Sequence, residues 1–293
     1  MKILIAGAGG MVGRALTEHC AQKGDQVFSY DHSSLDISSA VRVEELVAAA
    51  EPDVVINCAA WTDVDGCESD EVRAFAVNAN GPENLARACR KVGSVFVTIS
   101  TDYVFDGTKD DFYTQRDNPN PISVYAHSKL AGERKAQQEH ARTIVVRSGY
   151  IFGAGGTNFL STVVDRIRRG ERLKVIGDAW GTPTSGKHLA VRLRELAELD
   201  LPGIYHVVNS GEGATFESFS RAALQLAGCE QDLLESVSFD SLNRPAPRPR
   251  NSKLKCLVSG LVGLGPMPSL RDGMVEYFGS KVAKHTETGQ FSA

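Results

Sequence analysis

Short runs rich in β-branched residues punctuate the first half of the chain: KILIA at 2–6, QVFSY at 26–30, DVVINC at 53–58, SVFVTIS at 94–100 and TIVVR at 143–147. Stretches with helical periodicity lie between them. The first spans Met11 to Lys23 before Gly24, the second spans Ser38 to Ala50 before Glu51-Pro52, and the third runs from Glu71 to Lys91 before Gly93. Strands that are apolar on both faces, alternating with amphipathic helices, predict an α/β fold with a doubly wound parallel sheet covered on both sides. After about Tyr150 the rhythm changes to a glycine-rich turn (FGAGGTNF), a basic helix from Leu160 to Arg169 and a Pro/Gly-punctuated stretch (IGDAWGTPTSG). The pattern therefore divides into a nucleotide-binding region over 1–150, with a strand near 205–208 returning to the main sheet, a smaller C-terminal α/β region over 151–280 that binds substrate, and a flexible tail over 281–293.

Composition narrows the class. With 293 residues, 42% hydrophobic and 23% charged, the chain has the balance of a globular protein with a sizeable core. No apolar run approaches the roughly 20 residues that span a bilayer, and MKILIAG reads as a first strand, not a cleavable signal. The six cysteines form no CxxC pair, so reduced thiols in a cytoplasmic protein are expected. A net charge of -4 with dispersed Lys and Arg gives no footprint for nucleic acid and no membrane-binding face.

The turn GAGGMVG sets Gly7, Gly10 and Gly13 at G-x-x-G-x-x-G spacing, directly after a strand and at the start of a helix. Glycines let backbone approach a pyrophosphate, and the helix N-terminus offers free N–H groups, which predicts a Rossmann-type dinucleotide site. Asp31 ends the second strand, where an acid accepts hydrogen bonds from adenosine ribose hydroxyls. A carboxylate there favours NADH, whereas His32, Ser33 and Ser34 can donate to the 2′-phosphate of NADPH if Asp31 turns aside, so both cofactors remain open. Asp36-Ile37 either flanks the adenine or forms an Asx turn before the next helix.

In the stretch YAHSK, Tyr125 and Lys129 are four residues apart and share one helix face, while His127 points elsewhere, toward the surface or the cofactor rim. Tyrosine is a poor acid at neutral pH unless a nearby ammonium lowers its pKa, and Lys129 is expected to supply that charge. The strand end carrying Ser100, Thr101 and Asp102 brings hydroxyl groups to the carboxyl edge of the sheet. A hydroxyl donor, a tyrosine acid and a lysine beside a nicotinamide suit hydride transfer to a carbonyl. His127 and Ser128 read as spacers.

These residues resemble the extended short-chain dehydrogenase/reductases, and within them the dTDP-4-dehydrorhamnose reductases. The resemblance covers roughly 1–280, through MKILIAGAGGMVG, PDVVINCAAWTDVDGCES, VNANGPENLA, STDYVFDGT, the Y-x-x-x-K followed by LAGE, VVRSGYIFG, GTPTSG and RPRNSKL. It implies reduction of dTDP-4-dehydro-L-rhamnose by NADPH or NADH, in the supply of rhamnose for cell-surface polysaccharide. By the same resemblance Tyr125 is the proton donor, Lys129 binds the nicotinamide ribose and Thr101 is the hydroxyl partner at the carbonyl. Gly10, Met11 and Val12 meet the pyrophosphate and Ala60, Trp61 and Thr62 line the cofactor. Asp102 and Tyr150 contact the sugar, and Arg248 and Asn251 lie near the nucleotide diphosphate.

Two positions depart from the family pattern. Tyr150 stands where some relatives carry Trp. Ala15 and Lys187 stand where members with a metal-linked dimer have glutamates, so no metal site is expected, and monomer and homodimer both remain possible. Two other readings share these motifs: a reductase of a different nucleotide 4-keto-6-deoxy sugar, and a non-catalytic NADP(H)-binding regulatory subunit such as the methionine adenosyltransferase β-subunit.

Overall fold

The apolar runs form strands that are buried on both faces, and the turns between them route each strand end to the same edge of one sheet. The computed structural model describes residues 1–156 and 158–288. Its first half contains strands β1 (Lys2–Ala6), β2 (Gln26–Tyr30), β3 (Val54–Asn57), β4 (Val95–Thr101) and β5 (Thr143–Phe152). The helices between them are α1 (Met11–Gln22), α2 (Ala40–Ala50), α3 (Val64–Ser69), α4 (Glu71–Phe75), α5 (Gly81–Val92) and α6 (Val124–Glu139). There follow α7 (Phe159–Arg168), β6 (Leu173–Ile176), β7 (Trp180–Gly181), β8 (Pro183–Ser185), α8 (Gly186–Leu199), β9 (Gly203–His206), β10 (Ala214–Thr215), α9 (Phe216–Leu226), β11 (Leu234–Val237) and α10 (Leu270–Thr288).

The main sheet is parallel throughout, in the order β2-β1-β3-β4-β5-β8, with β9 also paired to β5. Strand β5 reaches two partners because it is long: Ile144–Arg147 pair with β9, and beyond a register shift between Gly149 and Ile151 the strand pairs with β8. The return to the main sheet is thus made at Gly203–His206. Alternation along the strands fills two cores. Ile3, Ile5, Ile56 and Val97 pack against Leu16 of α1 and Leu189 and Leu193 of α8. Leu4, Val55 and Phe96 pack on the other face against Val43, Val47 and Leu85 of α2 and α5. A separate cluster of Phe152, Leu160, Phe219 and Met274 gives the C-terminal region its own interior.

The stretch expected as one helix from Glu71 to Lys91 departs from that reading. It is interrupted by a π-helical turn over Ala76–Asn80, and a further helix, α3, precedes it. The widened turn sets the Asn78 carbonyl against Gly132 of α6, so closely that a Cβ at Gly132 would collide with the carbonyl oxygen. The tail expected from 281 onward falls on α10 as far as Thr288, and its remainder, 289–293, lies outside the described residues. Among the described residues no helix is long and apolar enough to cross a membrane.

Overpacking at this helix crossing gives a direct check. Gly132→Ala should destabilise the protein by about 1–3 kcal/mol, the cost of forcing a methyl group into a close-packed contact, read as a lowered urea midpoint with an unchanged m-value.

Candidate active site

The carboxyl ends of β1, β3, β4 and β5 open onto a cavity of about 590 Å³. Of the residues expected to be functional, Gly10, Met11, Val12, Gly13, Ala60, Thr62, Thr101, Asp102, Tyr125, Lys129 and Tyr150 all line it. The C-terminal region adds Phe159 of α7 and Phe216 and Phe219 of α9, which the sequence reading had not singled out.

Backbone crowding explains the glycine turn. Gly7 has φ +78, and a Cβ there would lie 2.5 Å from the backbone nitrogen of Ala59. A Cβ at Gly13 would strike the carbonyl oxygen of Gly7, so the loop lies flat against the first turn of α1. Gly10 caps α1 with no side-chain hydrogen bond. The first-turn N–H groups of Met11, Val12 and Gly13 have no intrahelical acceptor, and these residues face the cavity, a disposition that fits a pyrophosphate.

Asp31 and Asp36 are occupied locally. Asp31 Oδ1 accepts hydrogen bonds from the Ser33 hydroxyl at 2.7 Å, the Ser34 hydroxyl at 2.8 Å and the Ser34 N–H at 3.0 Å. Those donors, Ser33 first, hold its carboxyl down at about 2. Asp36 Oδ1 accepts from the Ser38 N–H at 2.9 Å and the Ser38 hydroxyl at 2.7 Å, an Asx turn that leads into the Ser39 cap of α2. Ile37 is 2% exposed and packs in the core beside Gly81, so the Asp36 side chain forms the turn while Ile37 anchors it.

Tyr125, Thr101 and Lys129 converge at the carboxyl end of β4. Thr101 Oγ1 accepts from the Tyr103 N–H at 3.2 Å, donates to Asp102 Oδ1 at 3.1 Å and hydrogen-bonds Tyr125. Burial pushes the Tyr125 phenol well above its ordinary range, and the Thr101 contact offsets this only in part. The expectation that Lys129 lowers the Tyr125 pKa is corrected here: the Lys129 ammonium donates instead to the carbonyl of Ile99 at 2.8 Å. Burial pulls Lys129 down to about 8. Tyr125 therefore holds its proton at neutral pH. Asp102 is 2% exposed and accepts from the Ser252 hydroxyl at 2.5 Å, and burial raises it to about 6.

Tyr150 lies at the register shift of β5 with φ +47, a conformation that costs a non-glycine residue about 1–3 kcal/mol. Its ring stacks on Phe216 at 4.5 Å. The strained backbone and the stacked ring together turn an aromatic face into the cavity. Arg248 is held away from the lining by Asp65 of α3, with Nη1 and Nη2 at 2.9 and 2.8 Å from the two carboxylate oxygens. It also hydrogen-bonds Tyr103, which does line the cavity. Asn251 is not brought to the cavity: its amide nitrogen donates to the Asp111 and Lys109 carbonyls, and its oxygen accepts from the Lys253 N–H at 3.1 Å, so the carboxamide anchors a loop.

Asn78, at the π-helical turn, carried no expected role. Its Oδ1 accepts from the Trp61 N–H at 2.8 Å, and its Nδ2 donates to the Trp61 carbonyl at 3.0 Å and to Ser128 Oγ at 3.1 Å. Ser128 in turn donates to the Tyr125 carbonyl at 2.8 Å. Ser128 is thus a link and not a spacer, whereas His127 is exposed. Trp61 does not line the cavity. It lies under the Arg73 guanidinium at 4.5 Å, and its backbone fixes the turn whose neighbours Ala60 and Thr62 do.

Comparison with known proteins bears on this arrangement. The family model described as the RmlD substrate binding domain matches residues 1–281. A dTDP-4-dehydrorhamnose reductase of Streptomyces griseus is 37% identical over 281 residues, covering 94% of this chain and 92% of that protein. One from Mycobacterium tuberculosis is 38% identical over 282 residues, covering 93% and 91%. The crystal structure of the dTDP-4-dehydrorhamnose reductase of Bacillus anthracis in complex with NADP superposes with a TM-score of 0.92 at 33% identity, covering 96% of this chain and all of that one.

Removing the Asn78 carboxamide strands the Trp61 backbone groups in a partly buried site. Asn78→Ala should cost about 1–3 kcal/mol in thermal or urea unfolding, the penalty for unsatisfied buried polar groups.

Proposed function

The chain belongs to the dTDP-4-dehydrorhamnose reductase family, and from that membership we propose that it reduces the C4 ketone of dTDP-4-dehydro-L-rhamnose to dTDP-L-rhamnose, with NADPH or NADH as cofactor. The observation that carries the reading is the convergence of Thr101, Tyr125 and Lys129 beside the open N-terminus of α1. When bound, the dihydronicotinamide supplies the hydride. Tyr125, which keeps its proton at neutral pH, donates it to the carbonyl oxygen, and the Thr101 hydroxyl hydrogen-bonds that oxygen. Lys129 holds the nicotinamide ribose. Met11 and Val12 offer N–H groups to the pyrophosphate, and Ala60 and Thr62 line the cofactor. Asp102 and the ring of Tyr150 meet the sugar, with Phe216 backing the ring. Arg248 acts from the margin, through Tyr103 and Asp65. The presence of all three reacting groups argues against a silent regulatory subunit.

Assays at 340 nm with a panel of dTDP-, GDP- and UDP-4-keto sugars test the substrate. Turnover should be fastest with dTDP-4-dehydro-L-rhamnose, and a preference for another nucleotide or sugar overturns the assignment. Tyr125→Phe should lower turnover at least about 10²-fold, equivalent to about 2.7 kcal/mol of transition-state stabilisation, with cofactor affinity nearly unchanged. His127→Ala should cost little, and a loss as large as that of Tyr125→Phe would contradict the assignment of the acid. At the other end of the cofactor, Asp31→Ser removes a carboxylate facing the 2′ position and frees the Ser33 and Ser34 hydroxyls. The ratio of kcat/KM for NADPH over NADH should rise about 10-fold, the effect of removing one unfavourable charge contact of about 1.4 kcal/mol.

A further inference from the structure

Three side chains stand at successive turns of α6: Tyr125, Lys129 and Glu133. The chemistry above uses two of them. Glu133 is 3% exposed, and its carboxylate is hydrogen-bonded by Ser100 and Arg147. Its Oε1 accepts from Arg147 Nε at 2.9 Å and, in a very short contact, from the Ser100 hydroxyl, and its Oε2 accepts from Arg147 Nη2 at 2.6 Å. Arg147, itself 3% exposed, lies in register with Ser100 on one side and His206 on the other. A polar row therefore crosses β4, β5 and β9 one residue before the cavity floor formed by Thr101 and Ser148.

Stability alone is a weak reason for such a pair. A buried ion pair can often be replaced by apolar residues of similar volume without loss. Its position supplies another reason. Ser100, which Glu133 holds, directly follows Ile99, whose carbonyl receives the Lys129 ammonium. The titratable groups that act on Lys129 are Glu133 on α6 and Cys58 after β3, beside the Ile99 carbonyl that receives its ammonium. The groups facing Glu133 are Lys129, Ser100 and Arg147, with His206 beyond the guanidinium. Burial and the Arg147 charge hold His206 down at about 4, so it faces the row as a neutral ring. Burial disfavours the Lys129 ammonium, and Glu133 is the largest influence in the opposite direction.

We propose that Glu133, clamped by Arg147 and Ser100, is a positioning residue for Lys129, fixing the strand end that receives the ammonium and supplying the negative charge it faces. The proposal rests on Lys129 acting at the reacting centre as assigned above.

The test is ¹³C NMR titration of the lysine ε-carbons, with Lys129→Met to identify the signal, in wild type, Glu133→Gln and the double variant Glu133→Gln/Arg147→Met. It is paired with the pH profile of kcat/KM. Loss of the anion removes what favours the charged form, so the Lys129 midpoint should fall, by about one pH unit in Glu133→Gln. Part of that shift should persist in the double variant, which leaves no buried guanidinium without its carboxylate and decides the question if the single variant does not fold. The alkaline limb of kcat/KM should move down with the midpoint, and Glu133→Asp should restore both in part. An unmoved midpoint in the folded double variant would overturn the proposal, as would failure of that variant to fold, since the pair would then serve the fold alone. A midpoint that moves while the profile does not upholds the positioning of Lys129 and counts against its part in the reaction.

Discussion

The buried contact between α6 and the carboxyl end of β4 is the constraint around which the site is arranged. A lysine ammonium that is 5% exposed survives in the interior only with fixed partners, and here it finds the Ile99 carbonyl at 2.8 Å. Fixing Lys129 on that strand end fixes the rotation of α6. Tyr125, one turn earlier, then falls beside the Thr101 hydroxyl at the edge of the sheet. The same rotation turns Gly132 toward the π-helical turn, and Ser128 toward Asn78, which holds the Trp61 turn beside the cofactor cavity. One helix orientation thereby couples Tyr125, Lys129 and part of the cavity wall.

The other wall depends on β5. Its length lets it pair with β9 in the main sheet and with β8 beyond the register shift, and the shift is where Tyr150 takes its strained backbone. The strain is supported from two sides, by stacking on Phe216 and by the Ser252 segment that also hydrogen-bonds Asp102. Asp65 of α3 reaches the turn before that segment, accepting from the Ala246 N–H at 3.0 Å and from Arg248. Segments far apart in sequence are therefore tied together around the cavity. A pocket whose two sides come from segments this far apart in sequence needs them held in register, and these ties do that.

Local chemistry was legible in the sequence. The glycine turn, the alternating strands and helices and the i, i+4 pairing of Tyr125 with Lys129 all follow from short-range rules, and the structure brings those residues to one cavity. Long-range features were not legible. A π-helical turn adds a residue to a helix without altering its apolar periodicity enough to be seen, so α4 and α5 read as continuous. Asn78 belonged to a quoted motif, but nothing local showed that its carboxamide would grip Trp61. Arg248 and Asn251 were expected near the nucleotide diphosphate through the family resemblance, and no local pattern showed where their side chains would be held. Their partners, Asp65 and the carbonyls of the 109–111 loop, are more than a hundred residues away. The direction of the Tyr125 shift was misjudged for a related reason: sequence spacing places Lys129 on the same face but does not reveal that a strand carbonyl takes its ammonium.

The central claim is that this cavity carries hydride to the C4 carbon of a dTDP-linked 4-keto sugar. The direct test is to incubate the protein with dTDP-4-dehydro-L-rhamnose and NADPH deuterated at nicotinamide C4, and to locate the label in the product by NMR. Deuterium on C4 of dTDP-L-rhamnose is expected. Unlabelled sugar with the deuterated cofactor unconsumed, or label at any other carbon, would contradict the claim.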